Sequence, residues 1–351
     1  MTAYLKILQS GAHTTIQDLG RIGYLGIGVP PSGALDPVSL RLANHAVGNN
    51  EGEGALEIAY IGPEFLVEAD SIRVCVVGEG SSIRVRSPEP LTIHEGKSIR
   101  LSRGSVAQVV IAKGTAIAYL AIEGGLAIPS LMGSLSTYVR GGFGGFQGRA
   151  LKEGDLLPLN LEDAPTRTEG SYETLPNAVP QNDAGEAVSI RAVLGPQDDF
   201  FTAKGIETFL SASFSFSKAS DRMGARLEGP SLEVYDFENF VSDGITAGAV
   251  QVPGSGQPIV LLADHQTSGG YPKIATVVSA DLPLFGRIKP GMTIRFEAVD
   301  VEEAVKIVRR QEAFIRKAMQ SFSPVTDAGK LNVDALLNDN IVSGVFGVED
   351  N

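Results

Sequence analysis

Short apolar runs alternate along the chain with polar, glycine-rich breaks, and most runs are too short to be helices. Tyr4 to Leu8 reads as a strand running towards Gly11. Ala55 to Ala59, Phe65 to Val67, Ile72 to Val77, Ile83 to Val85 and Ser98 to Leu101 repeat the pattern, with turn residues between them. Val106 to Ala112 and Ala116 to Ile122 flank Lys113-Gly114-Thr115, which predicts a hairpin. The pattern resumes at Val188 to Leu194, Phe214 to Phe216, Ala225 to Leu227, Ile259 to Ala263 and Ile274 to Val278. Strands at this spacing, with little helix between them, predict closed or nearly closed barrels.

Three segments depart from that rhythm. Asp36-Pro37 is an N-cap followed by proline at the first helical position, so a helix is expected over about Val38 to Val47, stopping at Gly48-Asn49. Asp300 caps the clearest helix, with Glu303 at the capping-box position. Its apolar stripe is Val301, Ala304, Val305, Val308, Ile315 and Met319, a face for packing on a barrel. Ala164 to Glu186 is polar, proline-containing and aperiodic, as a linker would be. The chain thus divides into an N-terminal β-barrel domain (1–163), a linker (164–187), a C-terminal β-barrel domain (188–299), a packing helix (300–321) and a tail (322–351). Glu95 to Leu101 and Pro290 to Phe296 echo one another, as two similar halves would.

Composition narrows the functional classes. With 351 residues, 43% hydrophobic and 20% charged, the chain can bury two proper cores. A net charge of -12 argues against a nucleic-acid or anionic-membrane surface. Cys75, the single cysteine, lies in an apolar run and is expected to be a buried thiol. The four histidines have no metal-ligand spacing, so no metal is expected. The first residues lack a signal-peptide pattern and no run approaches membrane-spanning length, so a cytoplasmic protein is the expectation.

Candidate chemistry gathers in three loops. In the stretch Leu261 to Leu282, Asp264, His265, Gln266, Thr267 and Ser268 crowd before Gly269-Gly270, Tyr271 and Lys273, more functionality than a turn needs. His265 titrates near neutrality beside a glycine turn and is the leading acid/base candidate. Gln266, Thr267 and Tyr271 are placed to orient a substrate, and Lys273 to offset charge. In the second loop, Gly141, Gly142, Gly144 and Gly145 lie between Arg140 and Arg149, a candidate anion cradle that lacks the Walker A pattern. The first loop contributes Asp18, Arg21, Ser32 and Asp36. Arg21 and Arg222 are candidate partners for a carboxylate or phosphate.

The segments TTIQDLGRIGY, GVPPSGALDP, RLANHAVGN, YVRGGFGGFQGRALKEGD, SDRMGARLEGP and LLADHQTSGGYPKIATVVSADLP, in this order, resemble the biotin-dependent carboxyltransferase family, also called allophanate hydrolase subunit two or KipA-like. The resemblance spans roughly residues 5 to 298. It implies a mostly β fold of two cyclophilin-like β-barrel domains with a few helices and a cleft between them. It also implies a KipI-like partner, the B subunit. In members that open 5-oxo-L-proline to L-glutamate with ATP, a LamB/YcsF-like protein, the A subunit, completes the reaction. In urea carboxylase the equivalent region transfers a carboxyl group from carboxybiotin to urea, and a KipA-type regulator would instead bind a KipI-like kinase inhibitor without turnover. The chain has no biotinyl-lysine motif and no ATP-grasp segment, which argues against biotin and for ATP shared with a partner protein. Opening a lactam after phosphorylation of its amide oxygen would call on the cradle, on Arg21 and Arg222, and on His265. That reading requires His265 to lie near Arg140 or Arg21 across a domain interface.

Overall fold

The computed structural model describes residues 3–113, 115–175, 187–235 and 241–325. The fold is mostly β. In the first half the strands form two sheets packed face to face. One runs in the order Leu156–Pro158, Tyr4–Gln9, Glu64–Val67, Val106–Val110, Ser82–Ser87, Leu91–His94. The other runs His13–Gln17, Ala55–Ala59, Ile117–Ile122, Ser71–Val77, Ile99–Ser102. The segments flanking Lys113 therefore do not form a hairpin: Val106–Val110 belongs to the first sheet and Ile117–Ile122 to the second. Each finds an apolar partner elsewhere, and the connection between them crosses from sheet to sheet.

Strand Ile117–Ile122 is buried on both faces, and its period of two divides the burial between two cores. Ala118, Leu120 and Ile122 point between the sheets, while Ile117, Tyr119 and Ala121 point outward against helix α1 (Pro37–Ala46). Ser71–Val77 divides in the same way, which places Cys75 in the outer core. Burial pushes that thiol well above its ordinary range, so it is an inert packing group. α1 starts where the sequence places it: the Asp36 carboxylate accepts from the N–H groups of Val38 and Ser39, each at 3.1 Å.

The second half closes into a seven-stranded barrel in the order Val188–Leu194, Lys273–Val277, Ala249–Gln251, Ile259–Leu261, Gly224–Glu228, Phe214–Phe216, Thr293–Ala298. Its first and last strands pair in parallel. Helix α2 (Ala203–Ser211) stacks Phe209 on Phe296 of the barrel, ring centroids 4.3 Å apart. Helix α3 (Leu282–Arg287) lies against the first half, its Gly286 beside Leu35 and Ile117. Helix α4 (Val301–Gln320) spans both: Ile307 packs with Val278 and Ala280, whereas Ile315, Ala318 and Met319 pack with α1. The expected stripe is only partly buried, since Val301, Val305 and Val308 face solvent. The burying face is rotated towards Ile307, Gln311 and Ala318, because α4 must follow a seam between two bodies rather than lie on one.

Residues 164–175 of the expected linker pack on the first half. Glu169 accepts from the Arg73 Nε at 3.0 Å, and Gly170–Ser171 pairs with Ser323–Pro324. The rest of the expected linker from 176 to 186, and the tail from 326, lie outside the described residues.

Charged groups cross the seam between the halves. Arg287 donates to both Asp36 oxygens at 2.7 and 2.9 Å, and both residues are buried. Arg222 donates to Glu57, to the Gly33 carbonyl and to Asp264, and Tyr119 donates to Glu57 at 2.6 Å. Burial opposes the Arg222 charge, but Glu57 and Asp264 outweigh it and raise the guanidinium pKa. The Ser32 N–H donates across the seam to the Ala263 carbonyl at 3.0 Å.

Candidate functional site

A cavity of about 480 Å³ opens between the halves. The first half lines it with His13, Tyr60 and Arg140, the second with Asp221, Arg222 and Asp264 among apolar side chains. A second cavity of about 570 Å³ shares Arg140, Asp221 and Met223 with the first and continues past Gln251, Gln266 and Tyr271. The two form one groove with Arg140 at the junction. Arg140 is exposed and makes no side-chain hydrogen bond or ion pair among the described residues, so its guanidinium is available to a ligand.

The stretch around His265 is not a hairpin. Ile259–Leu261 and Lys273–Val277 flank Ala249–Gln251 on opposite sides, and Ser268–Gly269 pairs instead with Asp243–Gly244. This arrangement turns Gln266 and Tyr271 towards the groove, while Thr267 and Lys273 line a third cavity with Leu25 and Asp243. Lys273 pairs with Asp243 at 3.1 Å, so the structure separates it from Arg140. Gly269 lies against Gln251, whose amide would meet a Cβ there at 2.7 Å, and Gly270 is exposed beside it.

The glycine loop is built differently from a cradle. Gly142, Gly144 and Gly145 have positive φ, but the N–H groups of Gly142, Phe143, Gly145 and Gly148 are all bonded to backbone carbonyls of the same region. A Cβ on Gly144 would lie 2.1 Å from the Ser136 carbonyl. These glycines let the loop fold onto itself and carry Arg140 to the groove; Gly141 packs between Tyr138 and Phe143. Arg149 is held by Asp155 at 2.8 Å. Asp18 is equally committed: its carboxylate accepts from the N–H groups of Gly20 and Leu135 and from the hydroxyls of Ser134 and Ser136. Asp36 and Arg222 serve the seam. The carboxylates of Asp18 and Asp36 and the N–H groups of Gly142 and Gly145 thus spend their hydrogen bonds inside the protein, where they act as scaffolding.

Arg21, Ser32 and His265 have capacity left. Each is buried, and the Arg21 Nε and Nη1, the Ser32 Oγ and the His265 Nε2 have no protein partner, as is true of Gln17 Oε1. The segments that carry them are bonded together: Arg21 N–H to the Pro31 carbonyl at 2.7 Å, Ser32 N–H to the Ala263 carbonyl. Arg21 also lies within electrostatic reach of Asp264, the neighbour of His265, and Asp264 lines the same cavity as Arg140. The Ser32 N–H bond to the Ala263 carbonyl joins the loop of the first half that carries Arg21 to the loop of the second half that carries His265. Burial lowers the His265 pKa against the pull of the Gln266 carbonyl and Asp264, which favours the neutral ring. Burial likewise lowers the pKa of Arg21, with Asp18 and Asp264 opposing.

His13, like Tyr60 and Asp221, is a groove residue that the sequence alone did not single out. It begins the strand His13–Gln17, lines the cavity, and has its pKa lowered by burial and Arg222 against Glu57 and Asp264. The signal was indirect: Glu57 interrupts the apolar strand Ala55–Ala59, and a buried acid there demands cations nearby. Among the described residues no group of three or more His, Cys, Asp or Glu side chains is placed to hold a metal ion.

The sequence profile of the carboxyltransferase domain, subdomain A and B, matches residues 27–298, which include the groove residues named above except His13. The chain belongs to the carboxyltransferase family. Its relatives in that family include the C subunit of 5-oxoprolinase from Haemophilus influenzae, 35% identical over 311 residues, covering 89% of this chain and 96% of that protein. The C subunit of 5-oxoprolinase from Escherichia coli is also 35% identical, covering 89% of this chain and 97% of its own. Urea amidolyase of Saccharomyces cerevisiae is 32% identical over 89% of this chain but only 17% of that protein. Among solved structures, the urea carboxylase of Kluyveromyces lactis superposes with a TM-score of 0.79 at 31% identity, covering 94% of this chain and 30% of that one. The carboxyltransferase fold is thus found both in proteins of this length and as part of much longer ones.

Proposed function

We propose that this chain is the C subunit of an ATP-dependent 5-oxoprolinase, acting with a KipI-like B subunit and a LamB/YcsF-like A subunit to convert 5-oxo-L-proline to L-glutamate with ATP hydrolysis. The observation that carries this reading is the 35% identity to two proteins of that name along nearly their whole length. The groove is chemically suited to it. Amide resonance makes a lactam carbonyl a poor electrophile, so ring opening needs the amide oxygen activated, with ATP shared with a partner protein. Arg140, free at the groove junction, would neutralise charge on the activated oxygen, and His265 or His13 would move a proton to or from the ring. The apolar walls would hold the ring carbons, and water reaching the activated carbonyl carbon would supply the oxygen that ring opening adds.

The test is reconstitution of this chain with both partner proteins, reading ATP hydrolysis that depends on 5-oxo-L-proline, together with glutamate release. Arg140→Ala should lower that turnover by about tenfold or more. Full turnover by Arg140→Ala would remove Arg140 from the chemistry, and no turnover by the wild-type complex would remove the reading. A carboxyltransferase acting on urea or another amide is the second reading, favoured by the family profile itself and by the urea amidolyase relatives. It predicts transfer of a carboxyl group from carboxybiotin to such an acceptor, measurable with labelled bicarbonate.

A further inference from the structure

Among the described residues, seven buried side-chain atoms lack a protein hydrogen-bond partner, and five of them are Gln17 Oε1, Arg21 Nε, Arg21 Nη1, Ser32 Oγ and His265 Nε2. Chance placement would scatter such atoms, because native interiors pair nearly all their buried polar groups. Here they fall on three segments already bonded to one another. Gln17 and Arg21 reach the consecutive carbonyls of Thr137 and Ser136, at 3.1 and 2.5 Å. Ser32 is joined by its backbone to Ala263, two residues before His265.

The chemistry of the five atoms is complementary and specific. Arg21 is 1% exposed and, among the described residues, has no carboxylate paired to it. Asp18, the acid nearest in sequence, has its oxygens taken by four other donors. The Phe143 ring covers the guanidinium, 5.1 Å from carbon to centroid. Buried donors left unpaired are costly, so Nε and Nη1 of Arg21, with the Ser32 hydroxyl, call for an oxygen acceptor, and the guanidinium charge favours an anionic one. The other two atoms call for the opposite. His265 Nδ1 lies 2.7 Å from the Gln266 carbonyl and so carries the proton of the neutral ring, which leaves Nε2 as a bare acceptor. Gln17 Oε1 is a second acceptor, its amide nitrogen being held by Thr15 and Thr137.

We infer that Arg21, Ser32, Gln17 and His265 form a specificity pocket for a carboxylate with an N–H on the adjacent carbon. The inference rests on the proposed function and sharpens it: 5-oxo-L-proline carries its lactam N–H next to the carbon that bears its carboxylate. Arg21 and Ser32 take the carboxylate, and His265 with Gln17 takes the N–H. All four side chains are buried, so a ligand would reach them by loosening the Ser32–Ala263 contact across the seam.

The experiment is calorimetric titration of the full chain, and of the reconstituted complex, with three ligands: 5-oxo-L-proline, 2-pyrrolidinone, which lacks the carboxylate, and N-methyl-5-oxoproline, which lacks the N–H. Wild-type protein should bind the first about tenfold or more tighter than either analogue, since a site built around polar groups rejects a ligand that leaves them unpaired. Arg21→Gln should bind 5-oxo-L-proline and 2-pyrrolidinone alike. Equal binding of all three ligands by the wild type overturns the inference, as does an Arg21→Gln protein that keeps the carboxylate preference. So does the absence of binding to both chain and complex, which would leave water as the partner of these atoms. If Arg21→Gln does not fold, the wild-type ligand series decides by itself. Selective binding without turnover would keep the pocket and remove the oxoprolinase reading; turnover without selectivity would do the reverse.

Discussion

At His265 the ring is buried and one nitrogen is spent on the next carbonyl, so the protein holds a neutral imidazole where water would allow a cation. His13 and His45 are held low by burial in the same sense. As pH falls through the ordinary histidine value of 6.5, the unfolded chain takes up protons before the folded one does. The stability due to these rings is therefore present above that pH and lost below it. Urea midpoints should fall from about pH 7.5 to about pH 5.5, and the fall should be shallower in His265→Gln, as denaturation monitored at both values would show. At this scale the sequence spoke through crowding: His265, Arg21 and Ser32 were legible as polar residues packed into glycine-rich loops. Asp18 carries the same signature but spends it internally. A carboxylate that will accept four protein donors cannot be told from one that will meet a ligand until the donors are in place.

Caps and periods were readable one element at a time. Asp36 before Pro37 located α1, and alternation located most strands. What failed were the pairings, because a strand's partner is chosen by which apolar face is left uncovered, often far along the chain. The residues flanking Lys113 and those flanking Gly269 look like hairpins locally and belong to separate neighbours in the fold. Asp36 shows the limit most plainly, since the same carboxylate caps α1 and pairs with Arg287 251 residues away. Arg287→Met leaves that carboxylate buried without its partner and should cost about 3–5 kcal/mol. Asp36→Asn combined with Arg287→Met keeps a capping side chain and removes the stranded charge, so it should recover a large part of the loss in the same denaturation assay. Gly144→Ala should distort the loop that carries Arg140, since its Cβ has no room beside Ser136 and φ is +73°. It should therefore lower ligand affinity while leaving the unfolding free energy within about 1–2 kcal/mol of wild type.

The two halves are joined by a seam that is charged, hydrogen-bonded and bridged by α4. Arg222 is its centre, joining Glu57, Gly33 and Asp264. Arg222→Met should unpair two buried acids and split a single calorimetric unfolding transition into two, one for each half. Glu312→Ala, which loosens the half-exposed pair between α4 and Arg41, should cost at most about 1 kcal/mol and leave unfolding unsplit. The seam also explains the placement of function: loops that are incomplete in either half complete one another where the halves touch. The first half, moreover, begins and ends on neighbouring antiparallel strands, with Tyr4 opposite Pro158. A body whose chain arrives and departs at one place can be spliced into a longer polypeptide without disturbing its interior. That geometry makes the first half portable, and it predicts that this half would tolerate circular permutation at an exposed turn.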